Sequence, residues 1–335
     1  MKKFVLAAAA ALMLGLAAPL AQAADHLTLQ LKWVTDAQFV GYYVALYKGF
    51  YKQENLDLTI RPGGPDINPD QVLAGGGAAV VIDWMPSALA SREKGVPIVN
   101  IAQVFQRSGM ELTCRKDSGI TTPADFKGKT LGVWFAGNEY PFLSWMAKLG
   151  YQWNGPHTDI TVLKQGFNVD PLLQKQAACI STMTYNEYWQ LIEAGMQPSQ
   201  LVVFSYEKEG VATLEDGLYA LQGSIDNPKK LDELARFLIA SREGWDYAIQ
   251  HQDEAIDILF KYDTAGVLTR VHQEHMIKAV AKLVEGGEHG WGWLDPAAYQ
   301  RTVNELLSTK STPVITKEPV GAWTHAVWDK AFKKS

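Results

Sequence analysis

Apolar residues along this chain fall into two alternating rhythms. LTLQLKW (27–33) alternates and then turns apolar, as a strand does. FVGYYVALYKGF (39–50) instead sets its apolar residues at helical spacing and ends near Gly49. The exchange repeats. LDLTIRP (56–62) predicts a strand, NPDQVLAGGG (68–77) a short helix with Pro69 in its first turn, and AAVVIDW (78–84) a buried strand. MPSALASREKG (85–95) predicts a helix, and PIVNIAQVF (97–105) another strand.

Around residue 110 the alternation starts afresh. Strands are predicted at 111–120, 129–135, 159–165, 178–185 and 201–207. Helices fall at 136–150, 170–176 and 186–195, and TTPADFKGK (121–129) holds a hydroxyl-x-x-Asp cap. After Tyr219 the pattern is mostly helical, with i, i+3/i+4 spacing over 231–250, 253–262, 270–284 and 297–307. Strands and helices in alternation imply an α/β fold. Its two doubly wound lobes would have parallel-rich sheets and a helical C-terminal tail. Ligands of such folds sit at the carboxyl ends of the strands, where helix N-termini offer free N–H groups.

Composition sharpens this picture at the ends. Lys2 and Lys3 precede the uncharged run FVLAAAAALMLGLAAPL (4–20), and Ala21-Gln22-Ala23 is a small-x-small site, so residues 1–23 read as a cleaved signal peptide. No cysteine stands at the cleavage site to take a lipid. The expectation is a soluble periplasmic protein. Its loss of two lysines takes the net charge from -5 to -7, which argues against nucleic acid or an anionic membrane as partner. The two cysteines, Cys114 and Cys179, lie in apolar strand-like runs, and two buried free thiols are expected rather than a bridge. The seven histidines form no metal-binding spacing, and no GxSxG or other nucleophile–base pattern occurs. GGG at 75–77 follows a helix and lacks a following GKS or GKT, so it reads as a turn.

Four strand-to-helix exits carry aromatic and polar residues: WVTDAQF (33–39), IDWMPS (82–87), WFAGNEY (134–140) and TMTYNEYW (182–189). They supply Trp33, Asp36, Phe39, Asp83, Trp84, Trp134, Gly137, Asn138, Glu139, Tyr185 and Asn186 as candidate ligand-binding residues. Any one aromatic alone reads as core, and Asp36 alone reads equally well as a helix cap. Their recurrence at one topological position points to a single cleft. Rings with a few oriented carboxylates and amides suit a planar, hydrogen-bonding heterocycle. Glu139 in particular would favour an amino-pyrimidine edge over a phosphate.

LKWVTDAQFVGYYVALYKGFYKQENLDLTI is similar to the N-terminal signature of the thiamine-pyrimidine synthase-like family. DFKGKTLGVWFAGNE and SREKGVPIVNIA resemble two further segments of it, and the likeness spans roughly residues 27–260. That family groups yeast pyrimidine synthases with bacterial substrate-binding proteins of ABC importers. The resemblance implies a type II periplasmic binding protein fold, with lobe 1 at 24–110 and 207–335 and lobe 2 at 111–206. It also implies a ligand beside Trp33 and the 137–139 turn.

Relatives of this kind bind thiamine pyrimidine precursors of the hydroxymethyl- or formylaminopyrimidine type, or riboflavin. More distant ones bind sulfonates or nitrate. The synthases hold pyridoxal phosphate on a lysine and consume a nearby histidine, but those positions align with Asp83 and Ser87. Their cysteine-rich run aligns with Val211 to Glu215. An aspartate cannot form a Schiff base. The expectation is therefore a monomeric importer component without a cofactor, working with an ABC permease and ATPase. A synthase-type enzyme is the alternative.

Overall fold

The computed structural model describes residues 23–308 and 313–333; the predicted signal peptide lies, but for Ala23, outside them. Ten strands form two five-stranded sheets. The first contains β1 (Asp25–Gln30), β2 (Leu56–Arg61), β3 (Val80–Asp83), β4 (Ile98–Gln103) and β10 (Gly217–Leu221), in the order β2-β1-β3-β10-β4. The second contains β5 (Met110–Arg115), β6 (Thr130–Val133), β7 (Thr161–Lys164), β8 (Cys179–Met183) and β9 (Leu201–Ser205), in the order β7-β6-β8-β5-β9. The chain crosses between them twice, after β4 and after β9.

Both sheets are parallel-rich, as expected, with one reversed strand in each. β10 runs antiparallel to β3 and β4, and β5 runs antiparallel to β8 and β9. Each of these two strands follows a crossing, so it enters its sheet from the opposite end to the βα units. β10 itself escaped the sequence reading. GLYAL is short and buried along nearly its whole length, so it shows no alternation.

Helix boundaries follow local chemistry. Asp36 caps the single turn Ala37–Phe39 by accepting from the Gln38 N–H, and the helix Val40–Lys48 ends on Gly49 in the left-handed region at φ 79°. Asn68 caps Pro69–Ala74, and Asn227 caps the long helix Pro228–Gln250. That long helix packs on Val40–Lys48 through glycines. A Cβ at Gly244 would stand 2.2 Å from the Gly41 carbonyl oxygen, and one at Gly41 would stand 2.2 Å from the Trp245 ring. The contact fixes the helix that follows the Trp33 turn.

Cys114 and Cys179 are bonded to each other, contrary to the free-thiol expectation. They are direct partners across the β5–β8 ladder, a proximity that pairing register creates and spacing along the chain does not show. Among the described residues no helix is long and apolar enough to cross a membrane, and no group of three or more His, Cys, Asp or Glu is placed to hold a metal.

Candidate functional site

The lobes meet at the strand exits. Lys32 and Trp33 follow β1, Trp84 follows β3, Trp134 follows β6, and Tyr185, Asn186 and Glu187 follow β8. These residues, with Gln38, Asn138 and Met183, line one inner pocket. The three tryptophans join across the lobes. Trp134 meets the Trp33 ring at 6.0 Å and the Trp84 ring at 6.5 Å between centroids, both edge-on. The remaining cavity is about 20 Å³, room for little more than one water, so in this arrangement the lobes are closed on each other.

Of the candidates read from sequence, Trp33, Trp84, Trp134, Asn138, Tyr185 and Asn186 come together at this pocket. Five do not line it. Phe39 lies wholly in the core of the first lobe. Asp36 is a buried cap whose carboxyl is held well above the usual range by burial, and it faces a neighbouring cavity. Glu139 turns back to accept from the Gly137 N–H at 2.8 Å, so the role expected for it toward a ligand amino group does not follow from its placement. Gly137 instead sets lobe contact. At φ 99°, a Cβ there would stand 2.4 Å from the Ser87 hydroxyl of the other lobe. Asp83 is fully buried behind the pocket.

Asp83 is occupied by Lys32. The two form a buried ion pair, and the lysine Nζ also sits 4.9 Å from the Trp84 ring centroid. β1 and β3 are adjacent and parallel with Gln30 opposite Val81, so two residues further the same register sets Lys32 beside Asp83. Next to them, Asp216 accepts from Gln38 Nε2 at 2.6 Å and from Trp84 Nε1 at 2.9 Å. Burial raises its pKa to about 6, against the pull of those donors. Glu187 accepts the Met183 N–H at 3.0 Å through Oε2, and burial raises its carboxyl to about 7.

Lys32, Gln38, Glu187 and Asp216 were not singled out from sequence. Lys32 had a signal, since a lysine between Leu31 and Trp33 at a strand exit must find a counter-ion if buried. Asp216 had none, because it lies just before the unrecognised β10.

Several polar atoms remain free at the pocket. Among the described residues Gln38 Oε1 and Asn138 Oδ1 accept from no protein group and the Tyr185 hydroxyl makes no hydrogen bond, while Glu187 brings its carboxyl and Asn186 its amide to the same pocket. Asn186 Oδ1 accepts from Gln190 Nε2 at 2.9 Å and lies 2.9 Å from His272 Nε2. The pocket thus presents flat apolar walls with both acceptors and donors. Its one ammonium is already paired.

Two α/β lobes crossed twice by the chain, with a pocket at their strand exits, make up the fold of type II periplasmic binding proteins. A solved structure from Bordetella bronchiseptica RB50 shares it at a TM-score of 0.70 and 20% identity, over 91% of this chain and 96% of that one. The chain belongs to the family described as NMT1/THI5 like, which matches residues 36–255. It is similar to the formylaminopyrimidine-binding protein of Halalkalibacterium halodurans, with 22% identity over 289 residues, 85% of this chain and 86% of that protein. It is also similar to the 4-amino-5-hydroxymethyl-2-methylpyrimidine phosphate synthase of Candida albicans, but over 110 residues only, 32% of each chain at 27% identity.

Proposed function

We propose that this protein is the periplasmic solute-binding component of an ABC importer. Its solute is a small amino-heterocycle of the thiamine-pyrimidine type. The observation that carries this reading is the inner pocket, three tryptophans from two lobes around amide and carboxyl groups. A ring stacked there would meet Glu187, whose carboxyl near pH 7 both accepts from an exocyclic amino group and, when protonated, donates to a ring nitrogen. Sulfonate or nitrate would need unpaired cationic or converging N–H donors. Here Lys32 is neutralised by Asp83, and Asp216 adds negative charge.

Transport rather than catalysis is supported by the likeness to a binding protein along most of the chain and by the short overlap with the synthase. Asp83, at the aligned lysine position, offers no amine, and the neighbouring Lys32 is engaged in an ion pair with it. We take residues 24–110 and 207–335 as one moving lobe and 111–206 as the other. The solute stabilises their closed form by touching both, and the closed form is what the permease receives.

Calorimetric titration of the purified protein tests this. 4-Amino-5-hydroxymethyl-2-methylpyrimidine should bind with 1:1 stoichiometry, while ethanesulfonate and nitrate should give no heat. Binding of either anion in preference to the pyrimidine would overturn the reading.

A further inference from the structure

Trp33 borders two chambers. It lines the inner pocket and also an outer cavity of about 300 Å³ lined by Asp36, Phe167, Asn186, His272 and Gln273 among others. Trp33 and Asn186 belong to both. The outer cavity already has the size of a small-ligand site, whereas the inner one opens only as the lobes part. Its walls also come from both sheets' lobes, residues 33–36 and 267–276 on one side and 167–168 and 186–193 on the other.

The chemistry of this second chamber is specific. Gln273 is almost fully buried, spends its Oε1 on the Ala37 N–H at 2.8 Å, and leaves its Nε2 without a partner among the described residues while lining the cavity. The charges there are spoken for. His272 Nδ1 pairs with Glu193 at 3.0 Å, and its Nε2 meets Asn186 Oδ1. No lysine or arginine lines the chamber. Among the described residues three of the ten exposed large apolar side chains, Val34, Phe167 and Val267, lie around this one cavity, with Phe167 58% and Val267 71% exposed. Apolar surface concentrated at one mouth marks a place where something apolar rests.

We infer that the solute has two parts. A planar amino-heterocycle occupies the inner pocket, and an uncharged, ring-sized substituent bearing a hydrogen-bond acceptor passes Trp33 into the outer chamber. There the acceptor takes the Gln273 N–H, and the ring rests on Phe167. This rests on the heterocycle reading above and adds a second subsite to it. With no lysine or arginine lining the chamber, the Glu193 carboxylate beside His272 opposes a phosphate in that position.

Two probes and two variants separate the claims. The probes are 4-amino-5-hydroxymethyl-2-methylpyrimidine and its O-benzoyl ester, titrated into the wild-type protein and into Phe167→Ala and Gln273→Leu. The ester should bind at least tenfold more tightly to the wild type. Phe167→Ala, at an exposed position that leaves folding intact, should lose most of that gain and keep the affinity for the bare pyrimidine; Gln273→Leu should do the same. Equal or weaker binding of the ester would overturn the second subsite alone, as would variants that weaken both probes alike. Binding of neither probe would overturn the heterocycle reading together with it.

Discussion

Trp33 shows what one residue contributes at this site. The residue is 7% exposed, its ring meets Trp134 across the lobes, and it lines both cavities. On the proposed function this ring stacks on the solute, and base-on-aromatic stacking is worth roughly 1–3 kcal/mol by alanine substitution in other systems. Trp33→Ala should therefore weaken pyrimidine binding by about ten- to a hundredfold. Paired titrations and thermal melts check this. A melting temperature lowered by several degrees with unchanged affinity would make the ring a packing residue only. Ala136 carries a different kind of information. Its φ of 61° is a left-handed conformation for a residue with a Cβ, and its carbonyl accepts from Asn68 of the other lobe at 3.3 Å. Strain in the 136–137 turn thus coincides with lobe contact.

At the scale of elements, the site depends on how the helix after the Trp33 turn is seated. Val40–Lys48 lies against Pro228–Gln250 at a distance that only glycines allow, with Gly244 over the Gly41 carbonyl and Ala45. Gly244→Ala forces a methyl group into that backbone, an overpacking that costs about 1–3 kcal/mol. The expected outcome is a lower denaturation midpoint at an unchanged m-value in urea. Unaltered stability would show that the helices can slide apart at no cost.

The whole molecule turns on its two crossings, and a buried acid joins them. Glu215 accepts from the Ser108 hydroxyl and, at 2.8 Å, from the Gly109 N–H, so the returning segment is tied to the outgoing one. Burial raises this carboxyl from 4.5 to about 8, and Glu187 to about 7. A group whose folded pKa is raised holds its proton more tightly in the folded state. Its stabilising effect is complete below about 4.5 and is lost as the pH rises toward about 8. Melting temperature should therefore fall across that window in the wild type, and Glu215→Gln should flatten the fall, since an amide has no proton to lose. An identical slope in the variant would place the titration elsewhere.

Much of this protein was legible in one dimension. Hydrophobic periodicity, caps such as Asp36 and Asn68, and stop glycines such as Gly49 are local effects, decided within a few residues, so the order of strands and helices followed from the sequence. The strand-exit tryptophans were legible for the same reason, because βα topology sends such exits to one edge. Pairing was not. The antiparallel insertion of β10 and β5, the Cys114–Cys179 bridge and the Lys32–Asp83 ion pair each join residues that sequence separates by 50 or more positions or by a lobe crossing. Register decides such contacts, and register is a property of the assembled sheet. The same holds for the division of labour at the site. Sequence could place Asp36 and Glu139 near a cleft, but only packing turned them inward to their own backbone and brought Glu187, which sequence did not single out, to the pocket.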